Sequence, residues 1–176
     1  MRTFLIALMC LAAGPALAEP SLIVLARHAE RAEDGTKDPS ISAAGQARAQ
    51  ALAEALKSAG VRHVITTHYR RTQQTAGPLL TAQGLSPKVF TIKPGAMPVH
   101  LQEVAAAVRE LDGTVLIVGH SNTLAPLVNA LGGPVVQELC ETSFSHLFLM
   151  TPAAEGRRLV QARYGAVDPA PEGACQ

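Results

Sequence analysis

The sequence predicts an α/β fold, a three-layer α/β/α sandwich with a mostly parallel central sheet, on three observations. Short apolar runs alternate with stretches of helical period along most of the 176 residues. Two of the runs, Leu22 to Ala26 and Val115 to Val118, are continuously apolar, as in strands covered on both faces. Both runs end abruptly in polar residues, Arg27-His28 and Gly119-His120-Ser121-Asn122. An open parallel sheet places its ligand crevice beyond such carboxyl ends.

Each element has its own signal. After the first strand, Arg31 to Pro39 is polar and punctuated by Asp34-Gly35 and Asp38-Pro39, which mark turns. Ser42 then caps a helix running to Ala59, with Ala44, Ala47, Ala51, Leu52, Ala55 and Leu56 recurring every three or four residues and Gly60 as the stop. Val61 to Thr67 reads as a strand that runs into His68-Tyr69-Arg70-Arg71, and Thr72 to Gln83 as a helix bent or restarted at Pro78. Lys88 to Ile92 is a short strand. Val99 to Leu111 is a helix with Leu101, Val104, Ala105 and Val108 on one face, closed by Gly113. Thr123 to Leu131 is a further helix, and Ser145 to Met150 and Arg158 to Tyr164 are two last strands. No internal repeat or linker interrupts the series.

The two ends of the chain differ from this core. Residues 1–18 combine a basic start (Arg2), an apolar stretch from Phe4 to Gly14 and the small-x-small signal Ala16-Leu17-Ala18. The apolar stretch is shorter than the ~20 residues that span a bilayer. A signal peptide cut after Ala18 is the expectation, with a secreted or periplasmic protein and no remaining membrane span. Residues 19–165 then form the single folded domain, and 166–176 a flexible Pro/Gly/Ala tail. Without Arg2 the chain carries 14 basic and 14 acidic residues, so no global field favours nucleic acid or anionic lipid. Any anion site must be built by local clustering. In an oxidising compartment Cys140 and Cys175 can pair or stay free thiols. A monomer is the default.

Three strand ends deliver the chemistry. His28 and His120 follow the two buried strands, and the strand ending at Thr67 delivers Arg70-Arg71. Arginine's planar fork matches phosphate oxygens bidentately and stays charged at any working pH. Nearby guanidinium charge keeps an imidazole neutral, hence nucleophilic. Such an imidazole can split a displacement into two easier steps through a covalent intermediate. A second histidine can hydrogen-bond the charge that develops, and the helix start after Asn122 adds backbone N–H groups. Each feature alone is bland: a polar loop, a helix cap, a solvated basic pair. Their joint placement is what points to phosphate.

Four ordered motifs resemble those of the histidine phosphatase superfamily, the phosphoglycerate mutase-like enzymes. Arg27-His28-Ala29-Glu30 is similar to its Arg-His-Gly-Glu signature, and Ile41-Ser42-Ala43-Ala44-Gly45-Gln46-Ala47 to the opening of its first helix. Arg71-Thr72-Gln73-Gln74-Thr75-Ala76 is similar to its Arg-Ala-x-Gln-Thr-Ala, and Val118-Gly119-His120-Ser121-Asn122 to the segment around its second histidine. The resemblance covers residues 21 to 150. It implies that His28 takes up the phosphoryl group of a small phosphorylated substrate, with Arg27, Arg71 and His120 binding and stabilising it; Asn122, at the helix start, is a further candidate for binding the phosphate, and no cofactor or metal is expected. Arg71 rather than Arg70 holds the family's spacing to Gln74-Thr75.

The departures are equally specific. Ala29 replaces the signature glycine, and His68-Tyr69 stands where Ser-Pro is frequent. Many relatives carry a proton-donating Asp directly after the second histidine, where this chain has Ser121, or a Glu between the third strand and the next helix. That second region offers only His100 and Glu103, and Glu103 reads as a solvated helix face. Glu30 is the sequence's nearest candidate for proton donor or for a supporting role behind the nucleophile. Without a strong donor, a module that binds an envelope sugar phosphate without turnover is the alternative reading. A mutase-type phosphotransferase fits less well, since the chain lacks room for the segments that clasp a bisphosphorylated sugar acid. A metal site from His28, His68, His100 and His120 is disfavoured by the flanking arginines.

Overall fold

The computed structural model describes residues 19–170, so the signal-peptide reading of residues 1–18 and the residue Cys175 lie outside the described part. The order is β1 (Pro20–Arg27), α1 (Ala43–Leu56), β2 (Val61–Thr67), α2 (Arg70–Gln83), β3 (Pro87–Phe90), α3 (Met97–Arg109), β4 (Gly113–Gly119), α4 (Ser121–Ala130), β5 (His146–Pro152) and β6 (Arg157–Arg163). The strands form one sheet in the order β3-β2-β4-β1-β5-β6. Pairs β2·β3, β2·β4 and β1·β4 are parallel, whereas β1·β5 and β5·β6 are antiparallel. This is the expected mostly parallel three-layer sandwich with an antiparallel edge.

The continuous apolar runs make sense because successive side chains point to opposite faces. Ile23 and Leu25 of β1 and Val115 and Ile117 of β4 join Val104, Val108, Leu124 and Leu127, so α3 and α4 cover one face. Val24, Ala26, Leu116 and Val118 join Leu52, Leu56, Ala76 and Leu79, so α1 and α2 cover the other. Each fully buried aliphatic side chain contributes about 1.5–3 kcal/mol. The central strands therefore cannot slip by one residue without exchanging two well-packed sets.

Element boundaries depart from the sequence expectation where local hydrogen bonding outweighs periodicity. Helix α4 starts at Ser121 rather than Thr123, because the His120 N–H donates to Thr123 Oγ1 at 2.8 Å and closes the first turn. Helix α2 starts at Arg70 and contains Pro78 without ending or restarting there. Gly113 does not close α3, which stops at Arg109. It opens β4 instead, with a φ of +66° that turns the chain into the sheet.

The C-terminal segment is held more firmly than expected over its described part. Asp168 accepts from the backbone N–H groups of Phe144 and Ser145, from Ser145 Oγ at 2.7 Å and from Arg163 Nη1 at 3.0 Å. Arg48 donates to the Ala166 carbonyl at 3.0 Å. Composition alone does not register such pinning, because it depends on what the tail meets. Cys140 is buried and disulfide-bonded. No helix of the described residues is long and apolar enough to cross a membrane.

The first turn of α1 is wedged beneath the loop that leaves β1. Ser42 Oγ accepts from the Gly45 N–H at 3.1 Å, and the Ser42 N–H donates to the Glu30 carbonyl at 2.8 Å. A Cβ at position 45 would overlap that carbonyl oxygen and lie 2.9 Å from Ile41 Cβ. Gly45→Ala is therefore expected to cost ~1–3 kcal/mol despite its gain in helix propensity. The check is the urea midpoint, and an unchanged or raised midpoint would refute the wedge.

Candidate active site

The pairing of β1 with β4 sets Arg27 opposite Gly119, so the next residues, His28 and His120, leave the sheet side by side. The His28 N–H still donates to the Gly119 carbonyl at 2.9 Å, extending the ladder one step past the strand. The two imidazole centroids are 5.2 Å apart with their planes at 64°. From the other flank of β4, β2 contributes Thr67 and the first turn of α2. Thr67 Oγ1 lies 3.1 Å from His120 Nε2, and Arg71 Nη2 lies 3.4 Å from His120 Nδ1. The chain leaves β1 toward α1 on one face and leaves β4 toward α4 on the other, which opens the crevice between them.

Partner chemistry fixes the tautomers. His28 Nδ1 lies 2.8 Å from the Ala29 carbonyl oxygen, which can only accept, so Nδ1 holds the proton and the Nε2 lone pair is free. Arg71 can only donate, so His120 presents Nδ1 as acceptor and turns its Nε2–H toward Thr67. Burial is the main reason that both rings favour the neutral form. It pulls His28 down to about 3, helped by Arg27, Arg71 and Arg31 and opposed by the Ala29 carbonyl. It pulls His120 down to about 2, helped by His28 and Arg71.

Helix α2 also holds the loop that carries His28. Thr75 Oγ1 accepts from the Ala29 N–H at 2.8 Å and donates to the Arg71 carbonyl at 2.7 Å. Gln74 Oε1 accepts from the Ile41 N–H at 2.9 Å. The Gln-Thr of the sequence motif is thus a clamp that binds the residue after His28 to the turn that presents Arg71.

The structure separates the remaining site residues. His28, His120, Arg71 and Asn122 line one open cavity of about 300 Å³, together with Arg31, Tyr69, Ser121, Glu141, Ile92 and Met97. Arg70 is exposed, and its backbone N–H is bound by Asp38. Arg27 does not line this cavity. Its guanidinium is 1% exposed, stacks 4.2 Å from the Phe144 ring centroid, and donates to the Cys140 and Ser143 carbonyls and to Glu141 Oε2. Glu30 faces away from the cavity into an ion pair with the buried Arg48 at 2.7 Å. A larger cavity of about 910 Å³, between the 135–140 segment, β6 and residues 164–170, contains neither histidine.

Sequence reasoning read Arg31 and Tyr69 as parts of loops bordering the site without giving either a role of its own, and it missed Glu141. Arg31 could have been suspected from its place three residues after His28. Tyr69 stacks 4.1 Å beneath the Arg71 guanidinium and edge-on to His120, which explains an aromatic ring at that unusual position. Glu141 reaches the site through a loop 20 residues beyond Ser121, and no local pattern announces it.

The matching family model is that of the histidine phosphatase superfamily (branch 1), over residues 23–91. A PE-PGRS family protein, PE_PGRS11, of Mycobacterium tuberculosis (strain ATCC 25618 / H37Rv) is 34% identical over 106 residues, which is 60% of this chain and 17% of that protein. The chain thus spans about a sixth of the length of this curated relative. Among solved structures, the protein histidine phosphatase SixA complexed with tungstate is similar at TM-score 0.63, with 18% identity over 81% of this chain and 96% of that one. A mycobacterial glucosyl-3-phosphoglycerate phosphatase complexed with VO3 is similar at TM-score 0.59, with 18% identity over 82% of this chain and 100% of that one. The family match spans most of β1, α1 and the α2 clamp, so this stretch of the chain is similar to the histidine phosphatase superfamily.

Proposed function

We propose that the protein is a phosphatase that hydrolyses phosphate monoesters through a covalent phosphohistidine on His28. The observation that carries this reading is the His28 ring itself. Its Nδ1 is committed to the Ala29 carbonyl, and its Nε2 is free in a cavity that Arg71 and Arg31 also line. A phosphoryl group seated there meets a neutral nucleophile and fixed positive charge at once.

The steps follow from the geometry. Substrate oxygens displace the long Arg71–His120 contact and take the guanidinium bidentately. His28 Nε2 attacks phosphorus in line while the P–O bond to the leaving group breaks. His120 stands beside the transferring group, and reorienting its Nε2–H from Thr67 supplies a donor for the charge that develops. Water then attacks the phosphohistidine, the N–P bond breaks and phosphate leaves. Arg27, buried behind the nucleophile, contributes charge and holds the 140–143 loop.

The names of the structural relatives describe one protein acting on phosphohistidine and another on glucosyl-3-phosphoglycerate. Their sequences are too distant to carry either substrate over. The open cavity, with Tyr69, Ile92 and Met97 along one wall and Arg31 and Asn122 among its other lining residues, supports a small phosphorylated substrate. We place the protein in an exported compartment, supported by the signal-like residues 1–18 and the disulfide-bonded Cys140.

The mature chain incubated with p-nitrophenyl phosphate is expected to release phosphate and, after an alkaline quench, to carry acid-labile phosphate on His28. His28→Ala abolishes both, and Arg71→Ala lowers kcat/KM by ~100-fold or more. Tight binding of inorganic phosphate with neither turnover nor labelling would replace this reading by a phosphate-binding module. In anion-free protein, His28 and His120 should remain neutral from pH 8 down to pH 5, because burial shifts both downward to about 3 and about 2. Their ring ¹⁵N resonances are the measure. A protonation step centred near 6.5 in either ring would show that the site is solvated.

A further inference from the structure

We propose that Glu141 is the proton donor of this site, turned from carboxylate to acid by the negative charge of the substrate that enters beside it. The inference rests on the phosphatase reading and supplies the residue that sequence reasoning could not place.

Among the described residues, Glu141 is the one carboxylate lining the cavity that holds His28 and His120. The neighbouring carboxylates are engaged elsewhere. Glu30 is bound to Arg48, and Asp38 accepts from the Arg70 backbone behind the Arg71 guanidinium. Glu141 Oε1 accepts from the Ser121 hydroxyl, and Oε2 accepts from Arg27 Nη2 at 2.7 Å. Ser121 opens α4 directly after His120, so this hydrogen bond sets the carboxyl at the mouth of the crevice.

Stability does not explain the arrangement. The Glu141 side chain is 73% exposed, and an ion pair so accessible is worth ~0–1 kcal/mol. Arg27 also donates from Nη1 to two carbonyls and lies over the Phe144 ring, so Glu141 is not its sole anchor. An exposed carboxyl that touches both the anion-binding shell and the helix after the second histidine is, however, well placed to exchange protons with water.

The groups facing Glu141 define its two states. Arg27 from β1, Arg31 from the following loop and Arg71 from α2 are positive, while His28 and His120 are neutral. Burial raises the Glu141 carboxyl, but the Ser121 hydroxyl and the arginines outweigh it and hold the carboxyl below its ordinary range, so it is ionised. A phosphate dianion entering this set competes for the same positive charge and adds like charge beside the carboxylate. Both effects favour uptake of a proton from solvent. When the His28 Nε2–P bond forms and the ester P–O bond breaks, that proton passes to the departing oxygen and an alcohol leaves. The ionised Glu141 then takes a proton from the water that attacks the phosphohistidine. The N–P bond breaks and the cycle closes with the proton count restored.

The test compares leaving groups in the full mature chain. In Glu141→Gln, kcat/KM for glycerol phosphate, an alkyl ester, should fall ~100-fold or more, and that for p-nitrophenyl phosphate by less than ~10-fold. The phenolate departs without a proton, whereas the alkoxide does not. Equal losses on both esters, or no loss on either, overturn the assignment while acid-labile phosphate on His28 leaves the phosphatase reading standing. Absence of both labelling and turnover in the unmutated chain overturns the phosphatase reading and this inference with it. Sulfate, which does not titrate near neutrality, gives a second readout. Its binding at pH 6 should draw protons from the buffer in the unmutated chain and measurably fewer in Glu141→Gln, and equal uptake overturns the switch.

Discussion

The structure depends on one strand pairing, the parallel register of β1 with β4. Because Arg27 lies opposite Gly119, the two histidines leave the sheet together and their rings come within 5.2 Å. The register is fixed far from the site, by Ile23, Val24, Leu25 and Ala26 packing alternately on two different helix layers. A slip of one residue would bury the wrong set and part the histidines in the same movement. Fold stability and site geometry are therefore one constraint.

Electrostatics builds a local site in a chain of nearly balanced charge. The formal net charge is +1 over the whole sequence, yet Arg27, Arg31 and Arg71 gather around one imidazole. The cost of gathering them is distributed. Arg27 is absorbed by carbonyls and an aromatic ring, and Arg71 by the Tyr69 face and Asp38. What remains is directional positive potential with no titrating group at its centre, since both rings stay neutral.

Much of this was legible in the sequence, for identifiable reasons. Continuous apolar runs report double-sided burial, so β1 and β4 and the placement of His28 and His120 followed from pattern, whereas the choice of Arg71 over Arg70 rested on the spacing of the family it resembles. The start of α4 and the role of Gly113 were misread because a side-chain cap and a positive φ decide them, and neither has a period. Glu141 was invisible because its relation to Ser121 and Arg27 is purely tertiary. Glu30 was singled out for closeness along the chain, which the loop then turned toward Arg48. Closeness in sequence predicts the backbone well and the direction of a side chain poorly.

The Thr75 hydroxyl has a mechanical meaning beyond the two bonds it makes. It holds the N–H of Ala29 and the carbonyl of Arg71 at the same oxygen, within 2.8 Å and 2.7 Å. One hydroxyl thereby ties the peptide adjoining His28 to the turn that presents Arg71, so a shift of either backbone segment strains a bond to the other.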